Sequence, residues 1–209
     1  MKGFTLTELL VALAISIMVV GSATLLAGQM QMSYRRQLEA STAQQEGRYA
    51  IEWIERYIRA AGNNPYRVTT SACPAAGTAF QAIRIDPNAN GVSDDIRLQM
   101  DGSPADGLIG GSLAACTEAN EDVTIALDSQ NRVITLRDNN VGNVSVPRSD
   151  TIVSSLRFIY RDPTHAVTTN PNNIAFVETT VTVQSRLNDL NTGQLITYPI
   201  RSEVRVRVR

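Results

Sequence analysis

The sequence predicts an α+β protein in which one long N-terminal helix packs on an antiparallel β-sheet. Three observations favour this class. No charged residue occurs between Leu9 and Tyr34, and strong helix formers without a proline continue to Ala61. Beyond Pro65 the helical periodicity disappears, and short β-like runs alternate with stretches rich in Asn, Asp, Gly, Pro, Ser and Thr.

Length and charge limit what the chain can be. Its 209 residues suffice for one membrane helix and one globular domain of ordinary size. Acidic residues number 20 and basic residues 19, for a net charge of -1. Because no strong charge excess exists, we expect neither nucleic acid nor a charged membrane surface as a general partner.

The apolar run over residues 9–27 consists mostly of Leu, Ile, Val, Ala and Met. A helix rising ~1.5 Å per residue crosses a hydrocarbon layer of ~30 Å over such a run. Glu8 lies at its rim, where a carboxylate is costly and usually has a partner or a role. The alternatives are a carboxylate that snorkels to the membrane surface, or a secretory signal cleaved near Ala23 or Ala27. A signal explains Glu8 poorly, since signals carry positive charge there.

Residues 2–12, with the sequence KGFTLTELLVA, resemble the start of a type IV prepilin. The resemblance implies that a dedicated prepilin peptidase cuts after Gly3 and that the new N-terminal residue, Phe4, is methylated. It also implies that Glu8 neutralises the N-terminal amine of a neighbouring subunit in a filament. Such pairing removes much of the cost of a buried, unpaired carboxylate and sets the axial register of the subunits.

The resemblance also implies the ladle-shaped pilin fold and four segments. Residues 1–3 are a leader peptide, and residues 4–28 form a transmembrane helix that becomes the filament core. Residues 29–62 form the amphipathic half of the helix, and residues 63–209 form a β-rich head. Lys2 implies that the short N-terminal side stays cytoplasmic. The protein is then expected in the bacterial inner membrane, with its head in the periplasm, before it enters a pilus or pseudopilus.

The second half of the helix has an apolar stripe at helical spacing. The stripe consists of Ile51, Ile54, Ile58 and Ala61, after an earlier stripe of Tyr34 and Leu38. Gly62 is placed as a C-terminal cap and Pro65 follows it, so the predicted helix covers residues 7–61. Gly47 is its one weak point. The amphipathic half requires a partner surface, and a sheet is the natural one.

Residues 45–62 also resemble the equivalent stretch of PilW-type minor pilins and, more loosely, the large J-type pseudopilins of type II secretion. The resemblance covers about the first 66 residues. It implies a minor pilin that primes filament assembly or forms the tip, or else a minor pseudopilin. Partners would be other pilins or pseudopilins, the prepilin peptidase, the inner-membrane assembly platform and the membrane. The alternative of another class is an exported or anchored binding domain or enzyme.

Seven β-like runs follow the helix. They cover residues 82–85, 95–100, 123–127, 133–136, 154–160, 174–185 and 195–209. Residues 128–131 predict one hairpin turn, and residues 188–194 with Gly193 predict another.

The last predicted strand alternates valine with arginine. Its valines are 204, 206 and 208, and its arginines are Arg205, Arg207 and Arg209. Alternation of this kind predicts a half-buried strand with one solvated face. A row of arginines could also bind DNA or another anion, although a solvated face that discourages edge pairing is the simpler interpretation.

Cys73 and Cys116 are expected to form a disulfide in an oxidising periplasm. The bond would stabilise the fold by roughly 3–4 kcal/mol in the chain-entropy model. The alternative is two free or separately buried thiols. The segment between them is expected to be a long, irregular insertion and a possible contact surface. Metal binding by these cysteines is not expected, because the sole histidine is His165.

The loop over residues 86–95 resembles the first half of an EF-hand calcium loop, with oxygen-bearing side chains at alternate positions. The possible Ca²⁺ ligands are Asp86, Asn88, Asn90, the carbonyl of Val92, Asp94 and Asp95. Gly91 would let the chain turn around the ion. Arg97 stands where an EF-hand has a bidentate glutamate. The alternative is an Asx-rich turn without an ion.

Catalytic motifs are lacking in the sequence. It contains no glycine-rich phosphate loop, no G-x-S-x-G and no metal-ligating histidine pair. His165 lies in a polar loop over residues 162–173 and is expected to be a surface residue. The sequence therefore favours a structural protein over an enzyme.

Overall fold

A computed structural model describes residues 5–71, 73, 78–102, 105–111, 116–141, 145–147, 152–188 and 193–207. The chain divides into two units, one ending at Ser41 and the other beginning at Thr42. Helix α1 is continuous from Leu6 to Ala60, close to the predicted helix over residues 7–61.

The end of α1 is fixed by Gly62, as predicted. Gly62 has φ +77°, in the left-handed region that favours glycine. Its N–H donates to the carbonyl of Gln99 at 3.0 Å. A Cβ added here would collide with the carbonyl of Arg207. The end of the helix is therefore held between two segments of the head.

The second half of α1 buries one face against the head. Its buried residues are Ala43, Gly47, Ala50, Ile51, Trp53, Ile54 and Ile58. The predicted stripe from Ile51 to Ala61 is confirmed, and Ile54, Ile58 and Ala61 are fully buried. Tyr34 and Leu38 of the earlier stripe are exposed instead.

In the described residues after the helix there are ten strands and one short 3-10 turn. The strands are β1 (Thr70–Ser71), β2 (Thr78–Ala79), β3 (Ile83–Ile85), β4 (Asp95–Gln99), β5 (Asp122–Asp128), β6 (Val133–Asp138), β7 (Ser145–Pro147), β8 (Ile152–Arg161), β9 (Phe176–Asn188) and β10 (Leu195–Arg205), with the turn at Pro171–Asn173. They form antiparallel sheets of order β1-β2, β3-β4-β5-β6-β7 and β10-β9-β8.

All seven predicted strands are present, with shifted ends. Strand β10 ends at Arg205 instead of continuing to residue 209, and β9 begins at Phe176 rather than at residue 174. Strands β1, β2 and β7 were not predicted, because two or three residues carry no readable alternation. The terminal alternation is confirmed as far as it is described: Val204 and Val206 are buried, and Arg205 and Arg207 are exposed. Residues 208 and 209 lie outside the described part.

One hydrophobic core joins α1 to both large sheets. Ile54 of α1, Ile125 of β5 and Val181 of β9 all belong to it and are fully buried. Phe158 of β8 is also buried, and its N–H donates to the carbonyl of Ser93 at 2.8 Å. The head is therefore one packed body built on the second half of the helix.

The predicted hairpin at residues 128–131 is confirmed. Asp128 ends β5, and its Oδ1 accepts from the backbone N–H groups of Gln130 and Asn131, each at 3.0 Å. The carboxylate therefore holds the turn closed, as expected of an Asx turn.

A disulfide joins Cys73 and Cys116, with Cα atoms 5.7 Å apart. The expectation of an irregular insertion between them is wrong in part. Strands β3 and β4 lie between the two cysteines and belong to the five-stranded sheet. Their short apolar runs had been recognised, but the surrounding glycine- and alanine-rich sequence suggested a loop.

Candidate functional site

The first half of α1 is exposed and apolar on all sides. Leu9, Ile17 and Leu25 expose 63, 64 and 72% of their surface. An 18-residue window of the helix has a mean hydropathy of 2.5 and is 0% buried inside the protein. The helix is long and apolar enough to cross a membrane by length and composition, a test that an export signal also passes. A surface of this kind requires lipid or other apolar helices around it.

Three hydroxyl groups interrupt this apolar surface, and all three are satisfied within the helix. Ser16, Ser22 and Thr24 each donate to a backbone carbonyl three or four residues earlier, at 2.8 to 2.9 Å. In hydrocarbon an unsatisfied hydroxyl would cost several kcal/mol, so these bonds make the segment compatible with a bilayer or a helical bundle.

Glu8 closes the first turn of α1 by a reciprocal contact with Thr5. The Thr5 backbone N–H and hydroxyl donate to Glu8 Oε2 at 2.9 and 2.8 Å, and the Glu8 N–H approaches Thr5 Oγ1 at 3.4 Å. This is a capping box, which satisfies backbone donors that the first turn leaves without partners. The T-x-x-E spacing marks such a box, and the sequence interpretation had overlooked it.

The predicted processing residues, Gly3 and Phe4, lie outside the described residues. Glu8 is exposed in the first turn of the helix. Its pairing with the amine of a neighbouring subunit stays a prediction.

Gly47 marks a close approach between α1 and the three-stranded sheet. A Cβ at this position would collide with Cδ1 of Ile200 and would lie 3.0 Å from Cγ1 of Val183. The glycine that is a weak point for helix propensity therefore gives the strands room to approach, and a side chain here would displace Ile200.

The predicted ion loop is the connection between β3 and β4. The side-chain oxygens of Asp86, Asn88 and Asn90 accept hydrogen bonds from backbone N–H groups of the loop itself. Among the described residues, no three or more His, Cys, Asp or Glu side chains form a group that could hold a metal ion. The turn is thus confirmed, whereas calcium binding stays a prediction.

Buried carboxylates that the sequence did not suggest hold the loops of the head. Glu121 is 1% exposed and accepts from the backbone N–H groups of Gly102 and Gly110 at 2.6 and 2.7 Å. Burial raises the pKa of Glu121, and these two hydrogen bonds partly oppose that rise. Glu121 therefore holds the backbone at Gly102 and Gly110 in place.

Asp122, which is fully buried, is bound by Arg97. The guanidinium donates from Nε and Nη2 to the two carboxylate oxygens at 2.7 and 2.6 Å. Gln99 and Asn139 donate to the same carboxylate, each at 2.8 Å. Asp122 therefore has the partners that a buried charge requires.

His165 is a surface residue, as predicted. Its side chain is 58% exposed, its ring stacks on Phe176 with centroids 4.3 Å apart, and its Nδ1 lies 3.3 Å from Glu203 Oε1. Arg201 of β10 pairs with Glu178, so one arginine of the edge strand is already engaged. Arg205 and Arg207 are exposed, in agreement with the solvated strand face that the sequence favours.

A protein-family model described as the prokaryotic N-terminal methylation motif matches residues 1–24. No curated protein and no solved structure gives a significant match to the chain. The comparisons add no support for the resemblance to PilW-type or J-type proteins. The motif is that of structural filament subunits rather than of enzymes. The motif, the exposed apolar helix and the antiparallel head together support a type IV pilin-like or pseudopilin-like protein with a membrane-anchoring N-terminal helix.

Proposed function

We propose that this chain is a minor pilin that enters a type IV pilus, where it primes assembly or forms the tip. The observation that supports this most is the position of Glu8. It stands in the first turn of a helix whose apolar half is exposed on all sides and follows the cleavage motif directly. An export signal alone does not require a carboxylate at that position.

Assembly would use the exposed apolar surface. After cleavage at Gly3, the helices of neighbouring subunits replace lipid around residues 9–27 with protein. Glu8 then pairs with the amine of Phe4 of a neighbouring subunit, which removes the several kcal/mol that an unpaired carboxylate costs in an apolar core. Within the described residues, Thr5 occupies only Oε2 of Glu8, so Oε1 is available to the incoming amine.

The topology follows from charge and redox chemistry. Lys2 favours a cytoplasmic N-terminus, which sends the head to the periplasm. The Cys73–Cys116 disulfide is consistent with that oxidising compartment. The prepilin peptidase and the inner-membrane assembly platform are the expected partners before the chain enters the filament.

A minor role is favoured over that of a major pilin by analogy with the family. Major pilins are generally shorter than this chain of 209 residues. A pseudopilin of type II secretion has the same N-terminal motif and would differ in the filament that it enters.

The test is the mass of the N-terminal peptide, measured on protein from sheared surface filaments and from membranes. A methylated Phe4 in the filament fraction is expected. A methylated Phe4 confined to the membrane fraction would favour the secretion pseudopilin. A mature chain that starts near Gln29 would overturn both assignments and leave an exported domain.

A further inference from the structure

The loop over residues 86–95 folds tightly around the carboxylate of Asp86. Asp86, Ala89 and Gly91 have φ angles of +47°, +57° and +79°. The N–H groups of Asn90 and Gly91 donate to the two oxygens of Asp86 at 3.1 and 2.8 Å. The first acidic residue of the loop therefore lies on the inner side of the turn.

Two amide side chains continue this arrangement. Asn88 Oδ1 accepts from the Asn90 N–H at 3.0 Å, and Asn90 Oδ1 accepts from the Val92 N–H at 2.7 Å. Carboxylate and amide oxygens each have two lone pairs, so every one of these oxygens retains acceptor capacity. These local bonds shape the loop but do not by themselves indicate a ligand.

Asp95 is a buried acid beside this loop. Its side chain is 1% exposed, and its Oδ2 accepts from the Asn88 N–H at 3.1 Å, so it faces the loop. Its Oδ1 is buried and has no hydrogen-bond partner among the described residues, and the same holds for Asp94 Oδ1 and for the hydroxyl of Tyr160. A buried carboxylate oxygen without a partner costs free energy that a positive charge would relieve.

The described residues supply no such charge. No ion pair among the described residues includes Asp86, Asp94 or Asp95. Arg97, two residues beyond Asp95, is bound to Asp122.

We propose that this loop binds Ca²⁺. The ligands are drawn from the side chains of Asp86, Asn88, Asn90, Asp94 and Asp95 and the carbonyl of Val92. Calcium takes six to eight oxygen ligands in a flexible shell and accepts amide and backbone oxygens beside carboxylates. A site without histidine or cysteine does not suit zinc. In the described part of the chain, no three acidic side chains form one metal-binding group, so the amides and the carbonyl are required. The expected dissociation constant is on the order of 0.1–1 mM.

The test is calorimetric titration and thermal unfolding of the full chain in detergent, after treatment with a chelator. We expect one Ca²⁺ per chain and a rise in the unfolding midpoint with CaCl₂ that an equal concentration of MgCl₂ does not produce. Asp95→Asn and Asp86→Asn should each weaken binding by about tenfold or more. Asp128→Asn is the matched control, because Asp128 closes a similar turn elsewhere and should leave binding unchanged.

The wild-type titration is decisive even if a variant fails to fold. Absence of both heat and a midpoint shift at ~10 mM CaCl₂, well above the affinity range of such sites, would overturn the proposal. Binding that Asp86→Asn and Asp95→Asn leave at full strength would overturn it as well. Neither result affects the proposed role of the N-terminal helix, since the titration does not involve filament assembly.

Discussion

The hydroxyl of Thr5 and its backbone N–H both donate to the same oxygen of Glu8, at 2.8 and 2.9 Å. Glu8 therefore has a role within its own chain before any neighbour arrives. Removal of the side chain would disturb the helix start together with any contact between subunits. A variant that separates the two functions must keep the hydrogen-bonding shape and change only the charge.

Glu8→Gln is the variant that meets this requirement. The amide oxygen can still accept from Thr5, but it cannot neutralise an amine. We expect normal membrane insertion and cleavage, and a fall in filament incorporation of about tenfold or more, since an unpaired charge costs several kcal/mol. Glu8→Ala should show the same defect. The measurement is the ratio of processed protein in sheared filaments to that in membranes.

Ser16→Ala is the control for this experiment. Ser16 lies in the same exposed helix, but its hydroxyl is satisfied by the carbonyl of Ala12. Incorporation should therefore be unchanged. Normal incorporation of Glu8→Gln would refute a charge-based role for Glu8 and leave it as a helix cap.

Gly47→Leu should destabilise the head. The space beside Gly47 is occupied by Ile200 and Val183, and an inserted side chain overpacks this contact at a cost of about 1–3 kcal/mol. Trp53, the only tryptophan, is buried in the same core and reports urea unfolding by its fluorescence. Arg48→Leu adds the same side chain at the adjacent exposed position and should change the free energy of unfolding by less than ~0.5 kcal/mol.

Reduction of the Cys73–Cys116 disulfide should lower the free energy of unfolding by about 2–4 kcal/mol. The sequence contains no other cysteine, so alkylation under denaturing conditions should add no label before reduction and two labels after it. The double Cys→Ser variant should match the reduced wild type in urea unfolding. Labelling without reduction would contradict the disulfide.

Asp95 should make stability depend on pH in calcium-free buffer. Burial raises its pKa from the ordinary 3.8 to about 6, so the folded state binds the proton more tightly than the unfolded chain. The resulting stability is present below about pH 4 and is lost as the pH rises through about 6. From about pH 5 to pH 7.5, wild type should lose on the order of 1 kcal/mol relative to Asp95→Asn.

Asp128→Asn again supplies the control for this pH series. The backbone and side-chain N–H groups of Asn131 lower the pKa of Asp128, so it is ionised in both states across that range. Its variant should show no change in relative stability between the two pH values. A flat response of Asp95→Asn relative to wild type would contradict the assigned environment of Asp95.

The sequence predicted those features that depend on local pattern. The absence of proline up to Gly62 located the helix, and the spacing of Ile51, Ile54 and Ile58 identified its buried face. Alternating runs located the longer strands. Gly47 was misjudged because helix propensity is a local quantity and counts only the cost of glycine to the helix. The side chain that packs against Gly47 belongs to Ile200, more than one hundred residues away in the sequence.

The buried acids were beyond prediction for the same reason. Asp122 is stable in the core because Arg97 of the neighbouring strand binds it, and Glu121 because the distant Gly102 and Gly110 donate to it. Nothing in the local sequence distinguishes these acids from exposed ones. In the ion loop, the sequence suggested the turn and its oxygens, but the buried oxygen of Asp95 emerged only from the folded chain.

The disulfide also determines how the head would respond to mechanical tension. Cys73 and Cys116 are 43 positions apart, and β3, the ion loop and β4 lie between them. If α1 and β10 are pulled apart, the load crosses the sulfur–sulfur bond and bypasses that segment. Without the disulfide, this segment would add about 150 Å to the length of the fully stretched chain, at ~3.4 Å per residue. An oxidised head is consequently shorter at full extension than a reduced one.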